Sequence, residues 1–187
     1  GCGVPSRNGE IRFWRVSDGS AEGIIEKAHL DTITGLAFSP GGHRLASSST
    51  DRYLKIHQVA TGELLDQLEG HTNHVLDVAW SADGETLASA GADHVAKLWT
   101  VESSKQKKTE GGFKKELTTI AFVGSGENLV LGGGDKILKS AGKNLAGVDD
   151  FIYDGAVSPD GATIISGGEK GILRVCQASD RKLLHSF

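Results

Sequence analysis

The sequence predicts an all-β fold assembled from repeated four-stranded antiparallel units, and three observations carry that prediction. The chain is similar to itself at a fixed step, each repeat contains short strand-like runs between turn signals, and no segment shows a helical period. A step of 42 residues carries Phe38 to Trp80 and on to Phe122, Leu45 to Leu87 and Leu129, and Asp51 to Asp93 and Asp135. A step of 35 then carries Phe122 to Val157, so about seven residues are lost in between, most naturally in the polar, Gly-rich stretch 140–147. Self-similarity at a period of about 40 residues marks an architecture of stacked supersecondary units.

Each unit reads in the same order. ITGLAFS, VLDVAWS, LTTIAFV and IYDGAVS are the first strands. Pro40-Gly41-Gly42, Ala82-Asp83-Gly84, Gly124-Ser125-Gly126 and Pro159-Asp160-Gly161 follow as turns, because these residues supply fixed or positive φ and local side-chain caps. RLASSS, TLASAG, NLVLGG and TIISGG come next. Their small side chains suit strands that pack closely against a neighbouring sheet. After a second short turn, YLKIHQV, VAKLWTV, KILKS and ILRVCQ alternate with one packed face. The outer strands are ELLDQLEG, a weaker stretch near Gln106 to Glu110, a short one near Asn144, and KLLHSF. Four short strands in about 40 residues describe one blade of a β-propeller. At the start, GEIRFWRVSDG reads as a third strand, so residues 1–30 form an outer half-blade. The expected division is then 31–70, 71–111, 112–148 and 149–187, or about four and a half blades in an incomplete ring.

Composition narrows the function. Gly is abundant at 26 residues and Pro scarce at 3, which fits many tight turns and no collagen period. The net charge of −4 argues against nucleic acid as the main partner, since phosphate binding needs a positive field. No apolar run approaches a membrane-spanning length, and no membrane partner is expected. Cys2 and Cys176 lie far apart and form no CxxC pair, so no redox or metal framework follows from them.

The residues that carry a family resemblance are Gly70-His71, Ser89, Asp93 and Trp99. This pattern resembles the WD-repeat signature, which implies a hydrogen-bonded tetrad running from Trp99 to Ser89, His71 and Asp93. A polar chain inside stacked sheets must be fully satisfied, and then it fixes strand register. Partial tetrads stand elsewhere. The first full blade has His29, Ser47 and Asp51, with His57 in the Trp position. The third keeps Asp135 but has Leu131 in the Ser position, and the fourth keeps Ser166 with Lys170 and Cys176 in the Asp and Trp positions. Trp14 stands in the Trp position of the half-blade and Asn8 in its Asp position. The third and fourth blades are therefore expected to be looser. The PSRNGEIRFW segment is similar to bacterial WD-repeat regions, some of which follow a cytochrome-like domain, although this chain has no CxxCH.

A closed seven-bladed ring needs about 280 residues. Gly1-Cys2-Gly3 resembles the end of a second strand, so the chain is expected to be the C-terminal part of a longer propeller. Its missing blades would come from the same longer polypeptide or from another chain.

No catalytic constellation, cofactor or metal is expected. His71 and His74 have an HxxH spacing, but on a loop, and His71 belongs to the repeat. Asp51, Asp93 and Asp135 each start a turn, where Asp caps backbone amides. Gly132 to Lys136 lacks the ending and the helix of a phosphate-binding loop. Lys105, Lys107, Lys108, Lys114 and Lys115 form a basic cluster that falls where an exposed outer strand is expected, and edge lysines deter strand addition. The expected function is a protein- or peptide-binding scaffold, with an accessory domain of a larger redox or hydrolytic enzyme as the alternative. Asp31, Arg52, Asn73, His94, Lys115, Lys136 and Glu169 are the candidate partner-binding face, because they fall in the loops before first strands and between second and third strands.

Overall fold

The computed structural model describes residues 8–187. The expectation for Gly1-Cys2-Gly3 lies outside the described residues. Within them the chain forms eighteen strands in five antiparallel sheets. A half-sheet pairs β1 (Gly9–Trp14) with β2 (Ala21–His29). Four four-stranded meanders follow. The first is β3 (Ile33–Phe38), β4 (Arg44–Ser49), β5 (Leu54–Gln58) and β6 (Leu64–Leu68). The second is β7 (Val75–Trp80), β8 (Thr86–Gly91), β9 (Ala96–Thr100) and β10 (Lys105–Glu110). The third is β11 (Leu117–Phe122), β12 (Leu129–Gly133), β13 (Leu138–Ser140) and β14 (Lys143–Asn144). The fourth is β15 (Ile152–Val157), β16 (Thr163–Gly168), β17 (Leu173–Gln177) and β18 (Leu183–Ser186).

Each innermost strand packs on the next: β3 on β7, β7 on β11, and β11 on β15. The sheets are therefore successive blades of an incomplete β-propeller whose ring is not closed. The core is divided accordingly into one apolar layer per joint. Ile56 and Leu68 of the first sheet meet Val78, Leu87 and Trp99 of the second. Ala90 and Leu98 meet Ile120 and Leu131, and Val130 and Leu138 meet Ile152, Ile164 and Cys176. Ile11 and Ile25 cover Ile33 and Leu45. Because each blade touches only its neighbours, stability is close to a sum of blade and joint contributions. The small-residue strands β8 and β12 are buried along their whole length, and β4 is buried after Arg44. That is the close approach their composition calls for.

Side chains also stitch the joints at a recurrent irregularity. Register shifts fall between Ile33 and Gly35, Val75 and Asp77, Leu117 and Thr119, and Ile152 and Asp154. The amides freed there are caught across the joint. Asp77 Oδ2 accepts the Ile120 N–H at 2.8 Å, and Thr119 Oγ1 accepts the Gly155 N–H at 3.0 Å. Thr34 Oγ1 donates to the Val75 carbonyl at 2.6 Å. Burial raises the Asp77 carboxyl to a pKa of about 6, against the pull of its two amide donors.

The two closing blades differ from the expectation that both are loose. The third has its shortening in the outer half, where β13 has 3 residues and β14 has 2, joined through Ala141 and Gly142. The fourth is as regular as the first, with strands of 6, 6, 5 and 4 residues. Its register does not depend on a tetrad, because other polar groups occupy the same place.

Candidate functional site

The second sheet contains a closed polar relay. Trp99 Nε1 donates to Ser89 Oγ at 2.9 Å, and Ser89 Oγ lies 2.7 Å from His71 Nε2. His71 Nδ1 lies 2.9 Å from both Asp93 oxygens. A carboxylate can only accept, so Nδ1 carries the proton, Nε2 accepts from the serine, and the imidazole is neutral. Burial holds the His71 pKa below its usual value and outweighs the attraction of Asp93. Asp93 also accepts the Thr72 N–H at 3.0 Å, tying the loop before β7 to the turn after β8. Gly91 makes room for the pair, since a Cβ there would stand 2.6 Å from His71 Nδ1.

The first sheet repeats three of the four members. His29 Nε2 lies 2.8 Å from Ser47 Oγ and His29 Nδ1 lies 2.9 Å from Asp51 Oδ2. Burial works to raise the Asp51 pKa, but the bond to His29 and the Leu30 and Tyr53 amides bring it below the usual carboxylate value. His57 fills the Trp position with only 3% of its surface exposed, and its Nδ1 has no partner. Burial, with the nearby His29 and Lys55, lowers its pKa to about 4. In the third sheet Asp135 retains a single duty, accepting the Lys114 N–H at 2.8 Å. Trp14 is 56% exposed.

The fourth sheet inverts the arrangement. The carboxylate comes from the loop before β15 and reaches the turn: buried Asp150 accepts the Lys170 N–H at 3.0 Å. Buried Arg174 donates to the Gly147 carbonyl at 3.0 Å and to Asp149 at 3.1 Å, and stands 3.7 Å from Asp150. Sequence reasoning missed this pair. The signal was present, because the same steps that align the tetrad align Lys55, Lys97 and Lys139 with Arg174. Lys55 bonds the Ala28 carbonyl, Lys97 bonds Gln106, and Lys139 lies over the Phe113 ring. A cation thus supports every blade beside the tetrad positions.

None of this polar machinery points to chemistry. Both ring nitrogens of His71 are engaged, and His74 is exposed beside it. Among the described residues no group of three His, Cys, Asp or Glu side chains is placed to hold a metal. Cys176 is a buried free thiol whose pKa is raised by burial. Gly133 and Gly134 run tightly past Glu116, so the glycine-rich stretch is a strand-to-turn passage. Lys105, Lys107 and Lys108 lie on the exposed strand β10, with Lys107 paired to Glu127 and Lys108 to Glu110.

The seven residues of the candidate face are all exposed. Asp31 and Asn73 cap the following amides at 2.7 and 2.8 Å, and Lys115 stands just before β11. Arg52, His94 and Lys136 hold one equivalent turn position each. In that register the fourth blade has Gly171, while Glu169 aligns with Ala92, two residues earlier in the turn. At the opposite end of the blades lies a cavity of about 670 Å³, lined by Ala79, Trp80, Phe122, Val157, Pro159 and Asp160. Trp80 is fixed there by its bond to the Ala37 carbonyl at 2.9 Å.

Comparison with known proteins agrees with this geometry. The family model described as WD domain, G-beta repeat matches residues 23–58 and 62–100. Denticleless protein homolog B of Xenopus laevis is 30% identical over 71 residues, 36% of this chain and 10% of that protein. Denticleless protein homolog of Gallus gallus is 32% identical over 71 residues, with the same shares. The chain thus spans about a tenth of the length of these relatives. Both are vertebrate proteins and give no support to a bacterial resemblance. Residues 23–58 and 62–100, with their hydrogen-bonded His, Ser and Asp residues, are thus WD repeats set in an incomplete β-propeller whose other sheets have the same construction.

Proposed function

We propose that this chain is a non-catalytic scaffold that presents one end of its blades to a protein or peptide, and that the blades missing from its open ring come from the same longer polypeptide or from another chain. WD-repeat domains are typically non-catalytic, and rigid sheets that hold loops in fixed positions suit capture of a partner. One observation carries the choice of face: Asp31, Arg52, Asn73, His94, Lys115, Lys136 and Glu169 all stand exposed at the same end of packed blades. The functional units are the half-blade 1–30 and the blades 31–70, 71–111, 112–148 and 149–187.

Alanine replacement of the seven residues, followed by capture of partners from the source cells, tests the face. Reduced recovery supports it, and undiminished recovery of every partner overturns it. Native mass spectrometry of the protein from its source tests the missing blades. A lone 19.6 kDa species contradicts that part of the proposal, because an uncovered blade exposes more apolar surface than soluble monomers usually carry.

A further inference from the structure

The joints that close the first three blades use equivalent positions, and the fourth blade carries the same positions uncovered by any described residue. Ala46, Ala88 and Val130 hold one place on the second strands, and Leu54, Ala96 and Leu138 hold another on the third strands. All six are fully buried, because the next blade packs on them. The same steps lead to Ile165, which is half-buried, and to Leu173, which is 43% exposed. Val175, the register partner of Ile165, holds the place of Ile56 and Leu98, both closed over in their joints. Phe187 exchanges backbone hydrogen bonds with Leu173 as Leu68 pairs with Leu54, yet Leu68 is buried and Phe187 is 74% exposed. The polar residues of this face, Thr163, Gln177 and His185, match Arg44, Gln58 and Asp66 in register, so a closed joint has polar groups at the same places.

The hydrogen bonding of a joint is preset as well. Asp77, Thr119 and Asp154 hold one place beside the register shifts of β7, β11 and β15. Asp77 accepts its own Val78 N–H on Oδ1 at 2.8 Å, and on Oδ2, at 2.8 Å, the Ile120 N–H of the next blade. Asp154 accepts its own Gly155 N–H on Oδ1 at 2.8 Å, and its exposed Oδ2 has no partner among the described residues. The last unit of a repeat array needs a polar outer face, whereas this face is apolar beside one free acceptor, which is how the joints are built. A second copy's half-sheet is the wrong occupant. Its β1 exposes Glu10 and Arg12, and it lacks the two inner strands that bring Val75 and Leu87, Leu117 and Leu129, or Ile152 and Ile164 into the three joints. We propose that this face is a fourth joint, closed by the first two strands of a further blade carried on the same longer polypeptide. The inner strand of that blade gives a backbone N–H to Asp154 Oδ2 and aliphatic side chains to Ile165, Leu173 and Val175. The proposal rests on the reading that further blades complete the open ring, and adds the face, the acceptor and the source. Two observations favour that source. β1 and β2 hold the third and fourth places of a blade, which in every full sheet follow directly on the first two along the chain. The Denticleless proteins also extend well beyond the matched stretch, which is 10% of their length.

Hydroxyl-radical footprinting of the protein as its source makes it tests the joint. Leu173 and Phe187 should label several-fold more slowly than in the denatured protein, while the exposed Leu64 on β6 labels at nearly the denatured rate. Asp154→Asn keeps an oxygen for the Gly155 amide and puts an NH2 group where the joint needs an acceptor. It should open the joint about fivefold more often, read as faster labelling of Phe187, whereas Glu63→Gln on the outer edge should leave that rate unchanged. Leu173→p-benzoylphenylalanine names the occupant: irradiation should give an adduct within one polypeptide, to a stretch outside residues 1–187. Full labelling of Phe187 in the native protein, parent-like labelling in Asp154→Asn, or an adduct to a second copy or to a different polypeptide overturns the proposal. An adduct to a different polypeptide leaves the ring-completion reading standing, whereas a lone 19.6 kDa species with Phe187 fully labelled removes both.

Discussion

The second and fourth blades solve one problem in two ways. Both must bury polar groups beside the strand pair β8–β9 or β16–β17 and tie the loop before the blade to the turn within it. The second uses a relay, Trp99 to Ser89 to a neutral His71 to Asp93, in which every member has a partner. The fourth uses charge, with Arg174 and Asp150 buried and Asp149 at the rim. It leaves Asp150 Oδ1, Ser166 Oγ and Arg174 Nη1 without a protein partner. The second blade thus leaves fewer buried polar groups without a hydrogen bond than the fourth, although both have regular strands. Regular hydrogen-bonded strands and a satisfied interior are therefore separate properties.

Substitution in the Trp position separates the two blades most. Trp99→Ala removes a fully buried indole and its bond to Ser89 and should cost about 3–5 kcal/mol. Cys176→Ala in the same position of the fourth blade removes only a thiol and should cost roughly 1 kcal/mol. Urea denaturation of both variants measures the difference, and equal losses would show that the relay contributes nothing beyond ordinary packing.

A smaller contrast is expected at the turn aspartates. Asp93→Ala leaves His71 and the Thr72 amide without their acceptor and should cost about 2–3 kcal/mol, against about 1 kcal/mol for Asp135→Ala, which loses one amide bond. Thermal melts at one pH are sufficient to rank them.

Acid titration extends the comparison to the first blade, where His57 stands for the tryptophan. Its folded pKa of about 4 lies below the ordinary 6.5, so the unfolded chain binds the extra proton and stability falls as pH drops from 6.5 toward 4. Asp77 acts in the opposite sense. Its folded pKa of about 6 exceeds 3.8, so stability rises as pH falls through 6 toward 3.8. Denaturant midpoints measured from pH 7 to 4 should show a steeper acid gain in His57→Phe than in the parent, and a steeper acid loss in Asp77→Asn. A profile unchanged by either substitution would place both groups in solvent-like surroundings.

The smallest effect is expected from relief of backbone strain. Arg52→Gly should stabilise the first blade by about 0.5–1 kcal/mol, since its φ is 77°. Gly171→Ala in the fourth blade should destabilise by a similar amount. Chemical denaturation resolves differences of this size when the two variants are run beside the parent.

Much of the fold was legible because a repeat declares itself. The steps of 42 and 35 residues, with turn residues at fixed offsets, locate the strands of all four full sheets. His71, Ser89, Asp93 and Trp99 could be named as a set because their spacing follows from one blade's geometry. The fourth blade's replacement could not be read the same way. Asp150 aligns with Asp31 and Asn73, which cap their own loops, and nothing in its neighbours' sequence shows that it turns inward. The 35-residue step carries Lys136 to Gly171, so the sequence itself held the register that places Gly171, and not Glu169, in the turn position equivalent to Arg52.

By itself the sequence determined the periodicity, the strand order within a blade and the identity of the relay, since these depend on contacts within about 40 residues of chain. Only the tertiary structure decided which polar atoms are satisfied, which lysines remain unpaired, and which amides are caught across a joint, as by Asp77 and Thr119. Those outcomes depend on how closely two blades approach, and that distance is set by packing between side chains from separate repeats.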